Sequence, residues 1–169
     1  PEINHYTLLK NKAGKKINIS LKNGKDVWSE TIIPFSLYEE RASTYKWWKT
    51  ECQRKVDEWS NGTIGYVHVQ GMNSESFRKI FERALGPLHT KKALILDTRF
   101  NGGGWLHDDL ATFLTGKEYM TFEPRGQKNM GGDPMFKWKK ESCVIMSEGN
   151  YSDAHMFPYT YKALNIGKL

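Results

Sequence analysis

Two cysteines in 169 residues are too few to staple a fold. Cys52 and Cys143 stand far apart and form neither a zinc ligand set nor a disulfide framework. Both read as free thiols, and they say little about compartment. The chain has no run of eighteen apolar residues, so no segment reads as a helix crossing a membrane. It has no internal repeat and no low-complexity tract. Acidic residues are in deficit, 19 against 25 Lys and Arg, for a net charge of +6 and a pI of about 9.2. That balance invites a nucleic-acid reading, but the basic residues do not cluster. Lys10–Lys16 and Lys137–Lys140 are short and turn-like, and a solvated surface explains them better. No signal peptide is visible; Pro1 is not a natural start, so a leader processed away upstream stays open.

What is present is a chain with 38% hydrophobic residues, long enough for one good core. It is best read outward from Ala93–Gly104, ALILDTRFNGGG. Ala93–Leu96 is the kind of apolar run that forms a strand buried on both faces. Asp97, Thr98 and Arg99 bring polar groups just past its end, Asn101 and three glycines follow, and Trp105–Leu114 reads as a helix. A strand, a glycine turn and a helix let backbone N–H groups face a negative oxygen. The spacing fits neither a phosphate-binding loop nor a dinucleotide fingerprint, and no Lys follows the glycines. A developing oxyanion is the other option, and a plain tight turn is the bland one.

A second unit of the same kind spans Ser142–Leu164. Its short strand is Cys143–Met146, and Ser152-Asp153 opens its helix. A hydroxyl at a turn beside a cradle of glycine amides is the minimum kit of a serine hydrolase. A helix cap is the competing role for Ser152, since Ser is favoured there in any case.

Around these two units the chain orders itself as follows. Tyr6–Lys10 and Lys16–Lys22 alternate like half-exposed strands, and Trp28–Phe35 reads as another. Leu37–Trp59 has no Gly or Pro and carries Tyr45, Trp47, Trp48, Val56 and Trp59, which predicts an amphipathic helix with an aromatic face used for packing between modules. Ile64–Val69 is a strand, and Glu75–Leu85 a helix capped by Ser74 and ended by Gly86-Pro87. Tyr119–Phe122 reads as an outer strand and Glu123–Met135 as a long loop. Strands alternating with helices predict an α/β core with a mostly parallel sheet.

Three segments then point the same way: GTIGYVHVQGM at Gly62–Met72, DTRFNGGG at Asp97–Gly104 and EGNYSDAHMFPY at Glu148–Tyr159. Jointly, in this order, they resemble the tricorn protease family within the C-terminal processing peptidases, from about Tyr38 to Leu169. The resemblance implies a ClpP/crotonase-like core of βα units. It implies residues 1–36 as the last strands of a PDZ-like module, 37–60 as a linking helix and 61–169 as part of a serine-peptidase core. Ser152 is the implied nucleophile. The backbone N–H groups of Asp153 and of Gly103 or Gly104 form the implied oxyanion hole. Substrates would be oligopeptides, with Glu118 or Glu123 near the region that selects side chains. No metal or other cofactor is implied, and homo-oligomers are compatible with it.

The family's catalytic His lies upstream of its PDZ domain and its Glu well after the nucleophile, so both are expected from flanking segments. Among the histidines, His107 and His155 are the two placed to reach Ser152; His5, His68 and His89 read as appended, packed or turn residues. A full protein would then be a peptidase, and residues 1–169 alone would lack a base. The alternative is a non-catalytic relative that binds a ligand or peptide with the same core, which would have no need of a Ser at that turn.

Overall fold

The computed structural model describes residues 4–169 and divides into two compact units, Pro1–Thr50 and Glu51–Leu169. In the first unit, β1 (Ile17–Asn23) and β2 (Asp26–Ile32) form an antiparallel hairpin. Gly24, at φ 62, lets the chain reverse in two residues between the paired Asn23 and Asp26. The expected strand over Tyr6–Lys10 is instead a short helix, α1 (His5–Leu8). Asn4 decides this locally: its side chain accepts the Tyr6 N–H, a cap that alternation alone does not reveal.

Helix α2 (Leu37–Trp59) begins with a reciprocal cap, in which Ser36 Oγ accepts from the Glu39 amide and Glu39 Oε2 accepts from Ser36 N. The unit boundary falls inside it. No residue of α2 is fully buried: Trp47 and Trp59 are exposed, whereas Tyr45, Trp48 and Val56 are half-buried.

The second unit runs β3 (Ile64–His68), α3 (Ser74–Leu85), β4 (Ala93–Asp97), α4 (His107–Leu114), β5 (Met120–Thr121), β6 (Gly132–Asp133), β7 (Glu141–Ile145) and α5 (Asp153–Ala163). Strands β3, β4 and β7 form one parallel sheet in that order. Val67, Leu96 and Val144 lie in register on one face and are buried against Ile80, Leu110, Phe113, Phe157 and Tyr161 of the helices. That face holds the core, so β4 is not sealed equally on both sides: Leu94 and Leu96 are buried, whereas Ala93 and Ile95 are half-buried.

Two boundaries move for local reasons. Asn73, not Ser74, caps α3, its side chain accepting the Ser76 N–H at 2.9 Å. The outer strand shrinks to β5, which pairs antiparallel with β6 inside the segment read as a loop. The alignment of His68 with Asp97 and of Asp97 with Ile145 brings the carboxyl ends of all three parallel strands to one edge of the sheet. In open α/β sheets that edge is where ligands bind.

Candidate active site

Both turns singled out in the sequence leave from that edge. Asp97, with no exposed surface, closes β4. Its carboxylate accepts Arg99 Nε at 2.9 Å, Arg99 Nη2 at 2.5 Å, Tyr66 Oη at 2.8 Å and the Arg99 amide at 3.0 Å. Burial alone would raise this carboxyl, but the hydrogen bonds from Arg99 and Tyr66 hold it below its ordinary 3.8. Arg99 also donates to Cys52 Sγ. The cluster fixes the exit of the chain from the sheet.

The glycine turn then wraps around Asn101, which is fully buried. Asn101 Nδ2 donates to Val69 O at 2.8 Å, Oδ1 accepts the Gly103 N–H at 2.8 Å, and its carbonyl accepts the Tyr151 N–H at 3.1 Å. One side chain and its own peptide thus tie the end of β3, the glycine turn and the serine turn together. Asn150 does the same from the other side, donating to Thr98 Oγ1 and to Ala154 O.

Gly103 and Gly104 both sit at positive φ, 99 and 143. Met72 N donates to Gly103 O and Trp105 N donates to Met72 O, so the N–H of the intervening Gly104 turns away from Met72. A Cβ on Gly104 would come within 2.0 Å of Met72 O, and one on Gly103 within 2.7 Å of Ser152 Cβ and 3.2 Å of Asp153 N. The two turns are therefore in van der Waals contact, and only glycine permits it.

Ser152 has φ 53 and ψ −125, a conformation that L-residues rarely adopt. It occupies the N-cap position of α5, its carbonyl accepting from His155 N and Met156 N, yet its side chain caps nothing. It is exposed, and Oγ has no hydrogen-bond partner among the described residues. Ser152 is thus a strained residue exposed at the turn between β7 and α5. Among the described residues the Gly104 and Asp153 amides donate to no acceptor, whereas the Gly103 amide is committed to Asn101.

Asp153 is 1% exposed, and its carboxylate turns inward. Oδ2 accepts the amides of Leu106 and His107, at 2.5 and 3.1 Å, and Oδ1 meets His107 Nδ1 at 2.5 Å. This explains why α4 starts at His107 rather than Trp105: its first amides are capped from α5. His68 Nε2 bonds Arg99 O and His89 Nδ1 bonds Gly86 O. His155 lines an open apolar pocket of about 560 Å³ with Met146, Pro158 and Tyr159. The side chain of His5 lies outside what the structure describes.

The structure brings Gly103, Gly104, Ser152 and Asp153 together. Glu118 and Glu123 are elsewhere in their hydrogen bonding: Glu118 is paired with Lys139 at 2.7 Å and Glu123 accepts from Asn129. The sequence places Thr98 and Asn101 in the first turn without giving either a role, and Asn150 is not singled out; the signal of each is only a short polar residue within a turn. Among the described residues no cluster of His, Cys, Asp or Glu is placed to hold a metal ion. No described helix is long and apolar enough to cross a membrane.

The comparisons with known proteins agree with one another. The model of peptidase family S41 matches residues 63–169. The tricorn protease of Thermoplasma acidophilum is 30% identical over 166 residues, which is 98% of this chain and 15% of that protein. A tricorn protease homolog of Saccharolobus solfataricus is 28% identical over 166 residues, again 98% of this chain and 15% of the relative. The crystal structure of the tricorn protease superposes with a TM-score of 0.67 at 27% identity, covering 95% of this chain and 15% of that one. The chain thus spans about 15% of the length of these relatives.

Proposed function

Since the chain belongs to peptidase family S41, we propose that its two turns are the nucleophile and oxyanion half of a serine-peptidase site acting on oligopeptides. The observation that carries this reading is Ser152 itself. A serine held at φ 53, exposed and capping no amide, contributes nothing to the start of α5 that justifies its strain. A purely ligand-binding relative gains nothing from it either. In the proposed step Ser152 Oγ attacks the scissile carbonyl carbon while its proton passes to a general base. The Gly104 and Asp153 amides stabilise the resulting oxyanion. The tetrahedral species collapses, the amine leaves with that proton, and water then releases the acyl group by the same route. We assign the oxyanion to Gly104 rather than Gly103 because the Gly103 amide is already donated to Asn101.

The base we place outside residues 1–169. No described residue hydrogen-bonds Ser152 Oγ, so no histidine whose side chain is described stands in place to take its proton. The much longer relatives have room to supply it. General-base assistance contributes about 10²–10⁴ in rate. The test is peptide hydrolysis by three proteins: residues 1–169, the full protein and full-length Ser152→Ala. Turnover by the full protein alone is expected. Full turnover by residues 1–169 places the base among their own residues, and activity retained in full-length Ser152→Ala removes the nucleophile.

A further inference from the structure

The proposed acyl transfer gives the His107–Asp153 pair no part. Asp153 is the residue whose amide is assigned to the oxyanion, and its orientation is set by where its buried carboxylate is held. That carboxylate has three donors, all from the first turn of α4: the Leu106 and His107 amides and His107 Nδ1. Helix α4 has no side-chain cap of its own. Asp153 supplies it from a different helix, where a negative charge also meets the positive end of the helix dipole. Two of the three donors are backbone and common to any sequence. The third is a side chain, and it alone engages Oδ1.

We propose that His107 is a positioning residue for the oxyanion site, holding Asp153 so that its N–H and the Gly104 N–H stay aimed at one point. This rests on the peptidase reading of the two turns. Because Nδ1 faces a carboxylate oxygen, it carries the proton and donates it. The arrangement is two-thirds of a Ser–His–Asp triad, which makes the distinction from a base necessary. In a triad the other ring nitrogen would bond the serine, and Ser152 Oγ has no such bond. His107 is mostly enclosed, with its side chain 17% exposed and the Trp105 ring packed edge-on at 5.6 Å. A restrained ring of this kind fixes its partner well. Without the donor, Oδ1 is buried with no partner, and a shift of Asp153 that satisfies it again has to pull on the two amides bonded to Oδ2 and on the first turn of α5.

The experiment compares wild type, His107→Leu and His107→Asn in the full protein, by steady-state peptide hydrolysis across pH. Asn presents an N–H close to the position of Nδ1 but takes up no proton. A positioning role predicts that His107→Leu loses about a hundredfold in kcat with KM unchanged. His107→Asn should recover most of that loss with the pH profile intact. If Asn fares as badly as Leu and a limb of the pH profile disappears, His107 is the base and the proposal is overturned. If His107→Leu turns over like wild type, the contact is incidental and the proposal is overturned. Should the Leu variant fail to fold by its thermal transition, His107→Ala replaces it, since it removes the donor without crowding. A wild type with no Ser152-dependent hydrolysis defeats the peptidase reading, and this role with it.

Discussion

Ser152 is either a helix cap or an exposed nucleophile, and stability separates the two. If it were a helix cap, truncation to Ala would cost about 0.5–2 kcal/mol. Its hydroxyl bonds no amide, so Ser152→Ala should leave stability nearly unchanged. Ser152→Gly should raise stability by about 1 kcal/mol. Relief of a strained backbone, worth about 1–3 kcal/mol, exceeds the about 0.4–1 kcal/mol that glycine adds to the unfolded chain's entropy. Chemical denaturation of the three variants checks both expectations. Asp97 gives a second residue-scale prediction. Its folded carboxyl is held below 3.8, so it contributes stability that is present above that value and lost as pH falls through the lower folded value. Acid titration of wild type and Asp97→Asn should show the two converging in stability below about pH 4. At neutral pH the Asn variant should be weaker by about 2–3 kcal/mol, less than for a sealed pair, because 31% of the Arg99 side chain stays exposed.

At the scale of elements, the parallel strands and the helices around them were legible because they carry long-range periodicity. β3, β4, α3 and α5 fall close to where apolar spacing places them. What spacing could not supply was the bonding of short polar side chains. Asn4 turns an alternating stretch into α1, Asn73 takes the cap from its neighbour Ser74, and Asp153 starts α4 from another helix. The candidate site was legible in the same uneven way. The glycines and Ser152 were marked by turn chemistry and by resemblance. Asn101 was not, because its role depends on three segments meeting at one buried side chain. Asn101→Ala should therefore do more than an ordinary loop substitution. It leaves Val69 O and Gly103 N–H without partners and should cost about 2 kcal/mol or more. Thermal unfolding reads this directly, and a loss within the range of an exposed loop residue would show that Asn101 does not join the segments.

For the whole molecule, the α/β unit of residues 51–169 supplies a rigid edge on which two turns meet. The sheet and its helices do the positioning, and the proposed chemistry uses one hydroxyl and two amides. In the proposed reading residues 1–169 hold the groups that form and stabilise the tetrahedral species, and the general base comes from outside them. The most direct measurement is the site of covalent capture. The full protein is treated with an organophosphonate fluoride, which needs both an activated serine and an oxyanion hole, and the adduct is mapped by peptide mass spectrometry. The account predicts a single adduct on Ser152, absent from Ser152→Ala and much slower in Gly104→Ala, whose Cβ would strike Met72 O. An adduct on another serine, with Ser152 unmodified and peptide hydrolysis retained in Ser152→Ala, would contradict it.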